Sequence, residues 1–257
     1  MQTISATGTA TGSPLAGLSL GAILADPLLA AMAAAELETV TIRSPSGRSA
    51  KGALALPKSP GPAILLLHEW WGLNDQIKSV ARELAEAGYV ALALDLYDGK
   101  IATDADTAGK HMGALDRSVA MDLMGAAIDW LRQHPKGNGK VGTVGWCMGG
   151  GLALDASIAR PVDATVVYYG RVDHPMAELQ QLKGPVQGHF AERDEWINHA
   201  MVDPFAAAMK KAGQTLDLHW YEADHAFGNP TGANFQKPDS ERAWQRTLDF
   251  FRKQLGR

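Results

Sequence analysis

The single cysteine of this chain, Cys147, lies in the run Gly145-Trp146-Cys147-Met148-Gly149-Gly150, a G-x-C-x-G-G pattern. A nucleophile presented on a very tight strand-to-helix turn needs small residues on both sides, because any larger neighbour clashes with the turn. The same turn places the thiol at a helix N-terminus, where the macrodipole favours thiolate over thiol. Further along, Glu192, Arg193, Asp194 and Glu195 follow one apolar run, and Glu222, Ala223, Asp224, His225, Ala226 and Phe227 follow another. His225 is the one histidine in the right place after a late strand to hold or accept the thiol proton, with an acid orienting its ring. Glu192, Asp194, Glu195 and Asp224 all fit that role by spacing. Asp224 adjoins His225, and neighbouring side chains usually diverge. Asp194, deep in the post-strand loop, is preferred.

A third loop carries His68, Glu69, Trp70, Trp71, Gly72, Leu73 and Asn74 after the run Ala63 to Leu67. In an elbow enzyme such a loop supplies one oxyanion-hole amide, and the residue after the nucleophile supplies the other. Those amides would be the backbone N–H groups of Trp70 and Met148. A carboxylate at Glu69 is out of place there as a solvated loop residue, since it adjoins the spot where an oxyanion must form.

These loops need a scaffold. Residues 38–43 alternate in polarity, and Pro45-Ser46-Gly47 separates them from 50–56, a strand pair at an edge. Residues 63–67 and 89–94 are continuous apolar runs suited to strands buried on both faces. Further strands read at 140–145, 164–169, 185–190 and 215–221, with helices over 74–88, 119–133, 149–159, 204–212 and 240–254. Strand and helix thus largely alternate from residue 61, which implies a doubly wound, mostly parallel α/β sheet with helices on both faces. In such sheets the site lies at the carboxyl ends of the strands. The chain order nucleophile, acid, base is that of the α/β-hydrolases. Residues 38–257 are expected to form that domain.

Composition narrows the alternatives. The chain has 257 residues, 46% hydrophobic and 20% charged, with net charge −4, so no basic surface points to nucleic acid. One cysteine cannot form an intramolecular disulfide, which fits a reducing, cytoplasmic setting. Residues 1–14 read as flexible. Residues 17–35 resemble a signal sequence only superficially: the first basic residue is Arg43, and Asp26-Pro27 interrupts the apolar run. A short amphipathic helix packed on the domain is expected there, within an N-terminal extension covering 1–37, and no membrane span.

Taken together, His68 to Asn74, Asp95-Leu96-Tyr97, Lys140-Val141-Gly142, Gly145 to Gly150, Tyr168-Tyr169-Gly170, His219 to Glu222 and His225-Ala226-Phe227 resemble the dienelactone hydrolase family, the carboxymethylenebutenolidases and their relatives. The resemblance runs from about residue 38 to the C-terminus. It implies a Cys-His-Asp triad at Cys147, His225 and Asp194. It also implies a role for Glu69, which would interact with the resting thiol and help activate it when substrate arrives. Family members that act on dienelactone hold its carboxylate with two arginines. Here Asp98-Gly99-Lys100 and Gly228-Asn229-Pro230 occupy those neighbourhoods, and neither arginine is matched.

The expectation is therefore a hydrolase of lactones or small carboxylic esters that works through an acyl-thioester. It needs no metal or organic cofactor, and it acts as a monomer or homodimer. Trp71, Tyr97, Lys100, Trp146, Phe227 and Asn229 are the candidate substrate contacts, and a neutral or bulkier ester is as plausible as an anionic lactone. A thioesterase or other acyl-transfer enzyme is the nearest rival, and a non-catalytic ligand-binding or redox-sensing module a more distant one.

Overall fold

The computed structural model of the chain describes residues 20–35 and 37–256, together with Leu15 and Leu18. The flexibility expected of residues 1–14 lies outside the described residues. Two short helices come first, α1 (Leu20–Ala25) and α2 (Pro27–Ala35). Pro27 starts the second of them, where its missing N–H costs nothing. The Asp26 Oδ1 accepts from Leu28 N at 2.8 Å. A single amphipathic helix was expected. What forms is a broken pair, and α2 (PLLAAMAAA) is apolar on every side, so Leu28 stays 69% exposed while Ala30 is buried.

The antiparallel strands β1 (Glu38–Arg43) and β2 (Ser49–Ala55) form one edge of the sheet. Beside them β3 (Gly61–Leu67) is buried at every residue, as its unbroken apolar sequence demands. The helix α3 (Asp75–Glu86) follows, capped by Asn74, whose Oδ1 accepts from Ile77 N at 3.2 Å. Then come β4 (Val90–Leu94), α4 (Ala105–Ala114), α5 (Arg117–Arg132), β5 (Gly137–Trp146) and α6 (Met148–Ala159). The chain closes with β6 (Ala164–Tyr168), α7 (Met176–Leu179), β7 (Val186–Ala191), α8 (His199–Lys211), β8 (Leu216–Tyr221) and α9 (Lys237–Leu255).

Among the described residues the sheet has eight strands in the order β1-β2-β4-β3-β5-β6-β7-β8, parallel from β4 onward. Residues of α3 and α9 pack with one face of the sheet. Residues of α5 and α6 pack with the other, where those of α8 extend the core. This is the α/β-hydrolase architecture. Its register matters for chemistry: Leu67 lies beside Gly145, Trp146 beside Tyr168, and Ala191 beside Tyr221. The loops after β3, β5, β6, β7 and β8 therefore leave the sheet at one level.

Some elements depart from the sequence expectation. The helix α8 was expected to begin at Pro204, yet it begins at His199, because Asn198 caps it by accepting from Ala200 N at 3.1 Å. Pro204 is carried inside the helix. The helices α4 and α7 were not foreseen.

Glycine spacing around the elbow has a measurable steric basis. A Cβ on Gly149 would lie 2.2 Å from the Leu67 carbonyl oxygen, and one on Gly145 would lie 2.0 Å from that of Gly149. Gly109, inside α4, has nothing within 4 Å. Gly149→Ala is expected to cost about 3 kcal/mol or more, since backbone must move. Gly109→Ala is expected to gain about 0.5 to 1 kcal/mol from helix propensity. Urea midpoints at unchanged m-value check both, and a tolerated Gly149→Ala would show that the close approach is not a constraint.

Candidate active site

Cys147 sits between β5 and α6 with φ 52° and ψ −118°, a left-handed backbone that a β-substituted residue adopts only under compulsion. Its amide donates to the Tyr168 carbonyl at 3.0 Å, and its own carbonyl accepts from Gly150 N at 3.0 Å. The thiol makes no capping bond to the helix. The side chain is half-buried.

The loops after β7 and β8 are tied edge to edge: Glu192 N donates to Tyr221 O at 2.9 Å and Arg193 N to Ala223 O at 3.0 Å. That pairing brings His225 Nδ1 to 2.6 Å from Asp194 Oδ2. The other oxygen of Asp194 accepts from the amides of Trp196 and Ile197, at 2.9 and 3.0 Å. Burial works against ionising Asp194, yet the His225 bond and these two amides outweigh it and hold its carboxyl below the usual range. Burial also opposes charge on His225. Hydrogen bonds to Asp194 and Cys147 overcome it and carry the imidazole up to about 10.

The competing acids are committed elsewhere. Asp224 pairs with Arg193 at 3.1 Å, Glu192 pairs with His199 at 2.8 Å, and Glu195 is exposed.

Glu69 is 2% exposed, in the loop after β3. Asn229 Nδ2 donates to one of its oxygens at 2.5 Å, and the Tyr169 hydroxyl donates to the other at 3.4 Å. Burial dominates and pushes its carboxyl up to about 7, with His225, Asn229 and Tyr169 pulling the other way. Asn229 is held at both ends of its amide, since its Oδ1 accepts from the Thr231 amide and hydroxyl at 2.9 and 2.7 Å.

Trp70 lies in the loop after β3, and Met148 is the first residue of α6, directly after Cys147. Among the described residues neither backbone N–H donates to an acceptor of the chain, so both remain free for a ligand oxygen. The loop that carries Trp70 is set by His68. Leu96 N donates to His68 Nε2 at 3.2 Å, so Nδ1 bears the proton and donates to the Glu69 carbonyl at 2.6 Å. Burial keeps this ring neutral.

The remaining candidates divide. Tyr97 is buried and donates to the Met148 sulfur at 3.1 Å. With Lys100 and His111 it lines a cavity of about 210 Å³ floored by Leu115, Val119 and Leu123. Trp71 packs edge-on against Trp70 at 5.0 Å. Trp146 and Phe227, by contrast, are 3% and 0% exposed and belong to the core: Trp146 stacks on Tyr168 and Phe227 packs against Tyr169 and Tyr221.

Sequence reasoning gave no role to Tyr169, His68 or Trp196. Tyr169 takes a positive φ of 35° directly after β6, and its ring lies edge-on to His225 at 5.2 Å. Its position in the Tyr168-Tyr169-Gly170 motif was the available signal. Trp196 has its ring 5.2 Å from His225 at 87°, in the loop that carries Asp194. Among the described residues no three His, Cys, Asp or Glu side chains converge as metal ligands, and no helix is long and apolar enough to cross a membrane.

Comparison with known proteins agrees with this architecture. Residues 50–255 match the model of the dienelactone hydrolase family. The carboxymethylenebutenolidase of Pseudomonas putida is 29% identical over 229 residues, covering 83% of this chain and 95% of that protein. Protein usf of Aquifex pyrophilus is 33% identical over 224 residues, covering 82% and 96%. The dienelactone hydrolase-like promiscuous phosphotriesterase P91, from metagenomic libraries, superposes with a TM-score of 0.77 at 22% identity, covering 86% of this chain and 99% of that one, which is a likeness of fold.

The burial of Glu69 has a thermodynamic consequence. Its carboxyl rises from an ordinary 4.5 to about 7, so folding favours the protonated form. The stability it contributes is complete below about pH 4.5 and is lost as pH rises through about 7. Glu69→Gln is expected to remove that slope, leaving the variant more stable than wild type by on the order of 3 kcal/mol above about pH 8. Thermal melts of both proteins between about pH 5 and 8 check this; parallel curves would contradict it.

Proposed function

The chain belongs to the dienelactone hydrolase family and is a hydrolase of lactone or ester bonds, and from that membership we propose that it cleaves them through Cys147, His225 and Asp194. The observation that carries this reading is the position of His225, whose Nδ1 is hydrogen-bonded to the buried Asp194 at 2.6 Å and whose charged form is favoured by that bond and by the neighbouring Cys147. An imidazole held at about 10 keeps its proton at neutral pH, ready to give to a leaving group.

The substrate carbonyl lies with its oxygen toward the free N–H groups of Trp70 and Met148. The Cys147 sulfur attacks the carbonyl carbon, and the oxygen takes the negative charge between those donors. On collapse the C–O bond to the alcohol breaks, and His225 gives its proton to the departing oxygen. A thioester on Cys147 remains. Water then attacks it while His225 accepts the water proton, and the thiolate leaves, releasing the acid. Asp194 keeps the ring in one orientation throughout and stabilises its charge.

The favoured substrate is a neutral ester or lactone. Asn229 is buried, carries no charge and is held by Glu69 and Thr231, so it offers no cation to a substrate carboxylate. Lys100 is a mobile point charge without a bidentate fork.

Wild type is expected to hydrolyse p-nitrophenyl acetate and neutral lactones, and Cys147→Ala to be inactive against both. Asp194→Asn is expected to lower kcat by about 10² to 10⁴-fold. Mass spectrometry after a rapid quench with a slowly deacylating ester is expected to find the acyl group on Cys147. Turnover surviving in Cys147→Ala, or an acyl group on another residue, would overturn the mechanism.

A further inference from the structure

Trp196 does two things in one loop. Its backbone N–H is fixed, donating to Asp194 Oδ1 at 2.9 Å, while its indole is 68% exposed. A tryptophan so exposed leaves a large apolar surface in water, and none of the described residues covers it. The ring is also not at an arbitrary place. It stands perpendicular to His225, with centroids 5.2 Å apart. Tyr169, fully buried, lies edge-on to the same ring at 5.2 Å. The imidazole thus has an aromatic neighbour in the core and another facing solvent.

The reaction fixes what lies next to His225. The imidazolium must reach the departing oxygen, so the alcohol half of the substrate is the half beside this ring. We propose that the exposed indole of Trp196 is the wall of the leaving-group subsite, and that it selects esters whose alcohol carries an apolar ring. This proposal rests on the reading of Cys147 and His225 given above. It assigns to Trp196 a specificity role separate from that of its amide, which holds Asp194. Packing against a preformed, solvent-exposed ring adds apolar contact without burying a new polar group on the protein.

The test uses benzyl acetate, cyclohexylmethyl acetate and ethyl acetate, which share one acyl group and release alkoxides of similar basicity. Differences in kcat/KM among them therefore report packing of the alcohol. Wild type is expected to prefer the two ring-bearing esters. In Trp196→Ala the ratio of kcat/KM for benzyl over ethyl acetate is expected to fall about 10-fold, carried by KM, and Trp196→Phe is expected to keep most of it. The acid limb of the pH profile is expected to stay in place, because the backbone amide that serves Asp194 is unchanged. A uniform loss on all three esters, or a displaced acid limb, would show that the indole acts on His225 and not on substrate, and would overturn the proposal. An unchanged ratio would do the same while leaving the hydrolase mechanism standing. Wild type inactive on every ester would instead remove the mechanism itself, and the subsite with it.

Discussion

The site depends on one close approach of backbone to backbone. The first turn of α6 lies so near the end of β3 that a Cβ at Gly149 would meet the Leu67 carbonyl, and one at Gly145 would meet Gly149. No room remains for an ordinary strand-to-helix connection, so Cys147 is forced to φ 52°. That conformation costs free energy, on the order of 1 to 3 kcal/mol, which the packed sheet around it must supply. Among the described residues the other non-glycine positions of positive φ are Asp98, Tyr169 and Ala226, and all of them follow parallel strands at the same edge. Backbone strain is thus gathered where the loops converge, and the interior of the sheet stays regular.

From that constraint the electrostatics follow. In the proposed mechanism the thiol at the elbow works with an imidazole whose Nδ1 is held by the buried carboxylate of Asp194. Glu69 adds a second buried carboxylate a short distance away. Two anions and one cation could not coexist there in the absence of donors. Asp194 has two backbone amides and Glu69 has Asn229 and Tyr169, so each negative charge is answered locally. The balance differs between the two carboxyls: the partners of Asp194 outweigh its burial and hold it below its ordinary range, whereas burial outweighs the partners of Glu69 and pushes it up to about 7.

Much of this was legible in the order of residues. The unbroken apolar run of β3 could only be a doubly covered strand, and the glycines around Cys147 could only serve a tight turn. Asp194 and His225 were readable because each lies a few residues past a strand. What escaped depends on contacts that no local pattern encodes. Asn229 and Glu69 are 160 residues apart in sequence. The helix α4 (ADTAGKHMGA) has two glycines and buries just Ala108, so it offers no apolar stripe to read. Trp146 adjoins Cys147 in sequence and so looked like part of the pocket, yet it still belongs to β5, and its side chain faces the core against Tyr168. Asp224 was discounted as an orienting acid because it adjoins His225, and its actual use is to clasp Arg193.

That clasp sits on the surface, one residue before the Asp194–His225 pair on both loops, and both its side chains are nearly half exposed. Dissolved ions screen such a pair strongly, so it contributes little in brine and not much more in dilute buffer. The amide bonds from Glu192 to Tyr221 and from Arg193 to Ala223 join the same loops and are indifferent to ionic strength. The alignment of acid and imidazole is therefore inherited from the sheet ladder continuing past its own end. A chain built in this way can exchange its surface charges, and so adapt to saltier or fresher surroundings, without disturbing the Asp194–His225 pair.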